Sequence, residues 1–310
     1  MFHIASIPFG NTFLLKLTNL STGEYVTVLP EAGAALHQVC LALCNTLYPL
    51  LWASDDGYVY LEEVRLQYRG ALLMPFVDRI ENGRYSFEGV EYRLPCNEPG
   101  QKNALHGFMQ NKAFELTELY CDEKKAAIVL CCQYQGDHPG YPFPFAVTVR
   151  YNLTTEGIQC ITKAQNKAGS NIPFGMGWHP YFQVNGNQPD YEIKIPAVSS
   201  FTIRDNYINT GEDQMFNAED QFLAVENFDF SVYTLRCNNG ESKTILRDKK
   251  NEMDITVKCR GFPFLQLYAV AGKAVAVEPV TCVGNAFNNG AGLTVLPPEG
   301  ILEAEYSIAF

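Results

Sequence analysis

Two kinds of residue sit where their chemistry is costly. Glu278 ends the apolar run Ala274-Val275-Ala276-Val277 and precedes Pro279. A carboxylate at the end of a buried-looking strand is expensive unless it is paired or used. Partial burial would raise its pKa toward the working pH, as a general base needs. His179 lies in Gly175-Met176-Gly177-Trp178-His179-Pro180-Tyr181-Phe182, and His106 in Asn103-Ala104-Leu105-His106-Gly107-Phe108; they are two of only five histidines. Glycine beside a polar residue lets a backbone or a ligand approach closely. Trp178, Tyr181 and Phe182 offer stacking faces. From context alone, each histidine is equally well explained as a core residue bonded to a carbonyl, and Glu278 as half of a strand-end ion pair. A two-histidine metal site lacks a third ligand at a suitable spacing, so no metal is expected. Arg79 follows Leu72-Leu73-Met74-Pro75-Phe76-Val77, where an ion pair with Asp78 or another acid is the plain structural reading. Asp229, in Asn227-Phe228-Asp229-Phe230, has the setting of a turn residue.

The elements that must position these residues read as strands. Phe145, Val147, Val149, Tyr151 and Leu153 alternate with Ala146, Thr148, Arg150 and Asn152, the period of a half-buried strand. Tyr85 and Phe87, then Val90, Tyr92 and Leu94, flank Glu88-Gly89, which predicts a tight hairpin. Further strands are predicted at 12–19, 24–29, 126–134, 158–166, 230–236, 253–259, 264–269, 274–278 and 303–309. Gly, Pro, Asn and Asp punctuate them. Helical periodicity is weak, with short candidates near 56–64 and 217–225. There is no βα alternation, no G-x-G-x-x-G after a strand, no P-loop and no long repeat. The simplest architecture is all-β: one large antiparallel sandwich domain over 1–310, with long loops and few short helices.

Composition excludes several partners. Twenty-three Lys and Arg stand against 34 Asp and Glu, a formal charge of −11. Nucleic acid and anionic membranes draw their proteins through cationic contacts, so neither is expected. No apolar run is long enough to span a bilayer, and Met1 to Gly10 has no signal-peptide pattern. The ten cysteines include adjacent Cys131 and Cys132 and form no C-x-x-C. Reduced thiols in a cytoplasmic protein are the expectation.

Several segments, taken in order, resemble the aldose 1-epimerase (galactose mutarotase) family. Its "NRI" corresponds to Asp78-Arg79-Ile80 and its Gly-Arg/Lys-Phe-x-x-x-Gly-x-x-Tyr hairpin to Gly83-Arg84-Tyr85-Ser86-Phe87-Glu88-Gly89-Val90-Glu91-Tyr92. Its "LHG" is Leu105-His106-Gly107, and its "HPYF" is His179-Pro180-Tyr181-Phe182. Its "EPMT…NAFN" is similar to Glu278-Pro279-Val280-Thr281 with Asn285-Ala286-Phe287-Asn288. The resemblance covers nearly the whole chain. It implies a β-supersandwich needing no cofactor, with His179 as general acid and Glu278 as general base. Arg79 and His106 would hold sugar hydroxyls, Asp78 beside them is expected among the substrate-binding residues, and Asp229 is the best match to the family's substrate-binding aspartate. Asp78 stands where many members have Asn, and Phe108 where a second Gly is common, which bears on sugar preference.

The expected reaction is anomer interconversion of a free aldohexose such as galactose or glucose by a monomer or homodimer. Three rivals remain at this point. A hexose-phosphate epimerase would need a cationic cluster at the C6 end. A glycosidase would use Glu278 and Asp229 as a carboxylate pair. A sugar-binding module would keep the fold without the chemistry.

Overall fold

The computed structural model describes residues 1–183, 190–218 and 221–310, and of Asn227 the backbone alone. Among the described residues, antiparallel strands form three large sheets. The first runs in sequence order through five strands from Phe2–Phe9 to Thr46–Pro49. A nine-stranded sheet has Phe145–Thr154, Gly157–Asn166, Ile301–Ala309 and Met253–Arg260 at its centre. An eight-stranded sheet is built around Phe264–Val270, Ala274–Val280 and Gly177–Trp178, with Leu72–Leu73 at one edge. This is the expected all-β sandwich.

The predicted strands agree with these bounds to within about two residues. The alternation read from Phe145 holds as far as Tyr151: the odd-numbered residues are buried and Ala146, Thr148 and Arg150 less so, but Asn152 is buried as well. The hairpin forms as Arg84–Phe87 against Val90–Arg93.

The two larger sheets meet at Trp178. Its indole packs edge-on against Tyr151 and Tyr306 of the nine-stranded sheet, and its Nε1–H donates to the Thr162 hydroxyl at 3.1 Å. Strand alternation then decides everything on the neighbouring positions. Trp178, Leu265, Leu267 and Val277 belong to the common core. His179, Gln266 and Glu278 therefore project from the opposite face of their sheet.

One helix is as expected. Gly57–Gln67 begins at Asp56, whose carboxylate accepts from the Tyr58 and Val59 N–H groups at 2.8 and 3.3 Å. It buries Tyr60 and Val64 and ends on Tyr68 in the left-handed conformation, φ 59°. The Tyr60 hydroxyl donates to the Leu36 and Arg69 carbonyls, which pins the helix end. The helix expected near 217–225 does not form among the described residues of that range. Residues 219 and 220 lie outside the described set, but Leu223–Ala224 is an edge strand on Tyr191–Lys194, and Val225–Asn227 is a single 3₁₀ turn. A short helix is marginal by itself, and pairing to a free sheet edge satisfies the same backbone groups.

Candidate functional site

The register of the eight-stranded sheet brings the two costly residues together. Gly177 pairs with Val280 and Tyr181 with Ala276, so His179 falls opposite Glu278. Gln266 pairs directly with Glu278 on the other side. The His179 backbone is tied to the next segment by its N–H to the Ala71 carbonyl (3.1 Å) and by its carbonyl to the Gly70 N–H (2.9 Å). The result is one row across the sheet, with His179 Nε2 3.4 Å from Glu278 Oε1.

This row forms the floor of a cavity of about 380 Å³. Its walls include Trp52, Tyr68, Arg69, Arg79, Glu98 and His106, with Tyr181, Phe230 and Tyr268 as an aromatic apron. Two roomier hollows, of about 480 and 660 Å³, lie elsewhere, and neither includes a member of this row. The cavity has room for a monosaccharide.

Both floor residues are buried, and among the described residues neither Glu278 oxygen nor His179 Nδ1 has a partner of good hydrogen-bond geometry. Such groups are rare in folded proteins and point to a use. Burial raises the Glu278 pKa well above its ordinary value; Asp78 adds to the rise, while Arg79 and Gln266 oppose it. Burial pushes His179 down to about 3. Burial disfavours the charged form of both groups and so favours a neutral pair. The His179 ring is stacked on Tyr181 at 4.8 Å and lies edge-on to His106 at 5.2 Å.

Leu105 pairs with Arg79 in a two-stranded ribbon, so His106 falls opposite Asp78, one step along from Arg79. His106 Nδ1 accepts the Asp78 N–H at 3.1 Å. Its proton therefore sits on Nε2, and the neutral ring is a donor on its free edge. Burial, then the neighbouring His179 and Arg79, keep its pKa well below the usual histidine range. Arg79 meets Asp78 through Nη1 at 2.8 Å and Glu98 through Nε and Nη2 at 2.7 Å. A guanidinium has five N–H donors, so two remain for ligand oxygens. The rings of Phe230 and Tyr207 cover its face at 4.7 and 5.1 Å.

Two expected site residues stand off the cavity wall. Asp78 is buried but is not on the cavity wall; it stands behind Arg79. Asp229 is exposed and is also absent from the wall, whereas its neighbour Phe230 lines it. A left-handed φ of 49° at Phe230 turns that ring over Arg79. With Asp229 outside, the Glu278–Asp229 carboxylate pair that a glycosidase would use does not form.

The family profile described as aldose 1-epimerase matches residues 16–309. The chain belongs to the aldose 1-epimerase family. Among its relatives, it is 25% identical over 231 residues to the aldose 1-epimerase of Escherichia coli K12, covering 73% of this chain and 62% of that one. It is 27% identical over 288 residues to an uncharacterised protein of the same bacterium, YihR, covering 91% and 89%. A galactose mutarotase-like protein from Clostridium acetobutylicum superposes with a TM-score of 0.84 at 17% identity, over 99% of this chain and 97% of that one. Galactose 1-epimerase from Lactobacillus acidophilus gives 0.79 at 16% identity, over 100% and 98%. These structural likenesses establish the fold.

This aldose 1-epimerase family member carries site residues that the sequence reading did not single out. Arg69 lies over Trp52, its Cζ 3.4 Å from the ring centroid, and is bonded to Glu63 and Gln67. Gln266 was detectable: it is a polar residue at the odd position of the apolar Phe264–Val270 strand, as Glu278 is in its own. Tyr68, Arg69 and Glu98 reach the cavity from a helix end and a loop, and their sequence surroundings give no sign of it.

Proposed function

We propose that this protein interconverts the α and β anomers of a free, uncharged aldohexose such as galactose or glucose. The observation that carries the reading is the buried, unbonded His179–Glu278 pair in register on a cavity floor. The two oxygens that must exchange protons, the anomeric hydroxyl and the ring oxygen, are bonded to one carbon and are close neighbours. An acid and a base 3.4 Å apart on one floor suit such oxygens.

A bound pyranose would donate hydroxyls to the Glu278 oxygens, stabilise the carboxylate and move the shared proton to His179. Glu278 then takes the anomeric hydroxyl proton as the C1 carbonyl forms, the C1–O5 bond breaks, and O5 takes the His179 proton. The chain is left with a protonated carboxyl and a neutral imidazole, the charge-free arrangement that burial of both groups favours. Rotation about C1–C2 presents the other carbonyl face, and the same transfers run backward to close the ring. Positioned acid–base groups typically contribute about 10²–10⁴-fold each. The free Arg79 and His106 donors would hold other hydroxyls, with Trp52, Tyr181 and Tyr268 against the apolar sugar face.

The paired state of both arginines favours a neutral sugar over a hexose phosphate. Arg69 is matched by Glu63, and Arg79 by Asp78 and Glu98. All ten cysteines are free thiols, which suits a reducing cytoplasm. The test is polarimetry of fresh α-galactose, α-glucose, xylose, arabinose, fucose and glucose 6-phosphate. Acceleration for at least one neutral aldose, lost in His179→Asn, is expected. Galactose binding with no acceleration would favour the binding-module reading.

A further inference from the structure

Asp78 is joined to both hydroxyl-binding groups of the cavity. Its N–H donates to His106 Nδ1 at 3.1 Å, and its carbonyl accepts the His106 N–H at 2.8 Å. Its carboxylate meets Arg79 at 2.8 Å. The site is shaped to hold that carboxylate. Asp78 has a left-handed φ of 50°, which Asp and Asn tolerate better than other side chains. A Cβ at Gly284 would lie 2.1 Å from Asp78 Oδ2, so only glycine leaves room for the group.

Glu98 closes on the same guanidinium from the loop side, and its other oxygen accepts the Asn103 amide at 2.8 Å. The Arg79, Asp78 and Glu98 side chains are all at least nine-tenths buried. One cation between two carboxylates leaves a net negative charge behind two free N–H donors. Such an arrangement can donate to hydroxyl oxygens while repelling an anion, because a low-dielectric wall screens charge poorly.

Building on the mutarotase reading, we propose that Asp78 and Glu98 form a charge clamp on Arg79 that makes the cavity selective for uncharged aldoses and excludes sugars bearing a carboxylate or phosphate. Asp78 acts as a positioning residue and does not touch the sugar. An asparagine here would hold the same backbone contacts without the charge.

The test is calorimetric titration of wild type, Asp78→Asn and Glu98→Gln with galactose, galacturonate and glucose 6-phosphate, with polarimetry alongside. The readout is the ratio of the Kd for charged sugar to the Kd for galactose. The wild type should prefer galactose strongly, and each variant should lower the ratio by about tenfold. A merely structural role would weaken all sugars alike and leave the ratio unchanged, which overturns the proposal. Equal wild-type affinity for galactose and galacturonate overturns it too. Should Asp78→Asn fail to fold, Glu98→Gln reads the same ratio. A ratio that moves as expected without any mutarotation would remove the mutarotase reading and keep the clamp. Absence of binding by every sugar would remove both.

Discussion

Replacing Glu278 by Gln separates catalysis from stability. Gln keeps the volume and removes the base. Loss of a positioned base costs about 10²–10⁴ in rate, or about 2.7–5.4 kcal/mol of barrier. Stability moves the other way. The Glu278 carboxyl is raised well above its ordinary value by burial, first, and by the nearby Asp78. A group raised in the folded state contributes stability that is fully present below its unfolded pKa of about 4.3. That contribution is lost as pH climbs through the folded value, at about 1.4 kcal/mol for each unit of difference. At pH 4 the wild type and Glu278→Gln should therefore have similar urea midpoints. By pH 9 the variant should be the more stable of the two, while its polarimetric rate falls at least a hundredfold. A variant retaining more than about a tenth of the wild-type rate, or one losing stability relative to wild type as pH rises, would refute the reasoning.

His179, held down to about 3, should show no inflection in kcat/KM near the ordinary histidine value. The profile should fall in strong acid as the imidazole takes a second proton, and fall at higher pH as Glu278, raised by burial, loses its own; a step near the ordinary histidine value that disappears in His179→Asn would contradict this. Gly107→Ala should cost about 2–5 kcal/mol, because φ there is 70° and a Cβ would stand 1.9 Å from the Met74 carbonyl oxygen; a melting temperature within a few degrees of wild type would contradict this. Trp178→Phe removes the bond to Thr162 and part of the inter-sheet contact, so a loss of about 1–3 kcal/mol is expected in denaturant titration.

The strand framework was legible because each strand buries one face, and alternation along Phe145–Thr154 or Phe264–Val270 writes that directly into the residue types. Glu278 and His179 were legible as polar groups placed against an apolar grain, but their facing relation was not. It depends on pairing between strands 99 positions apart, which no local spacing encodes. Asp78 was expected to touch sugar, and it stands one layer behind, because a left-handed backbone there turns the side chain toward Arg79. Tyr68, His106, Tyr207 and Phe230 share that backbone state. Residue types that ordinarily avoid it gave no warning, and such departures gather where function requires a side chain to be aimed. Helix 217–225 failed for a related reason: a few apolar residues at ambiguous spacing were claimed by an open sheet edge.

Because His179 stands between two short strands that both pair with the strand of Glu278, the proposed turnover depends on the same ladder of backbone bonds as the fold. A slip of one residue between Ala274–Val280 and its neighbour would move Trp178 into the cavity row and His179 into the oily interior. No soluble but mispaired population could hide as partly active enzyme. Specific activity, measured across preparations or along a refolding course, should accordingly fall in strict proportion to the fraction of molecules with native strand alignment.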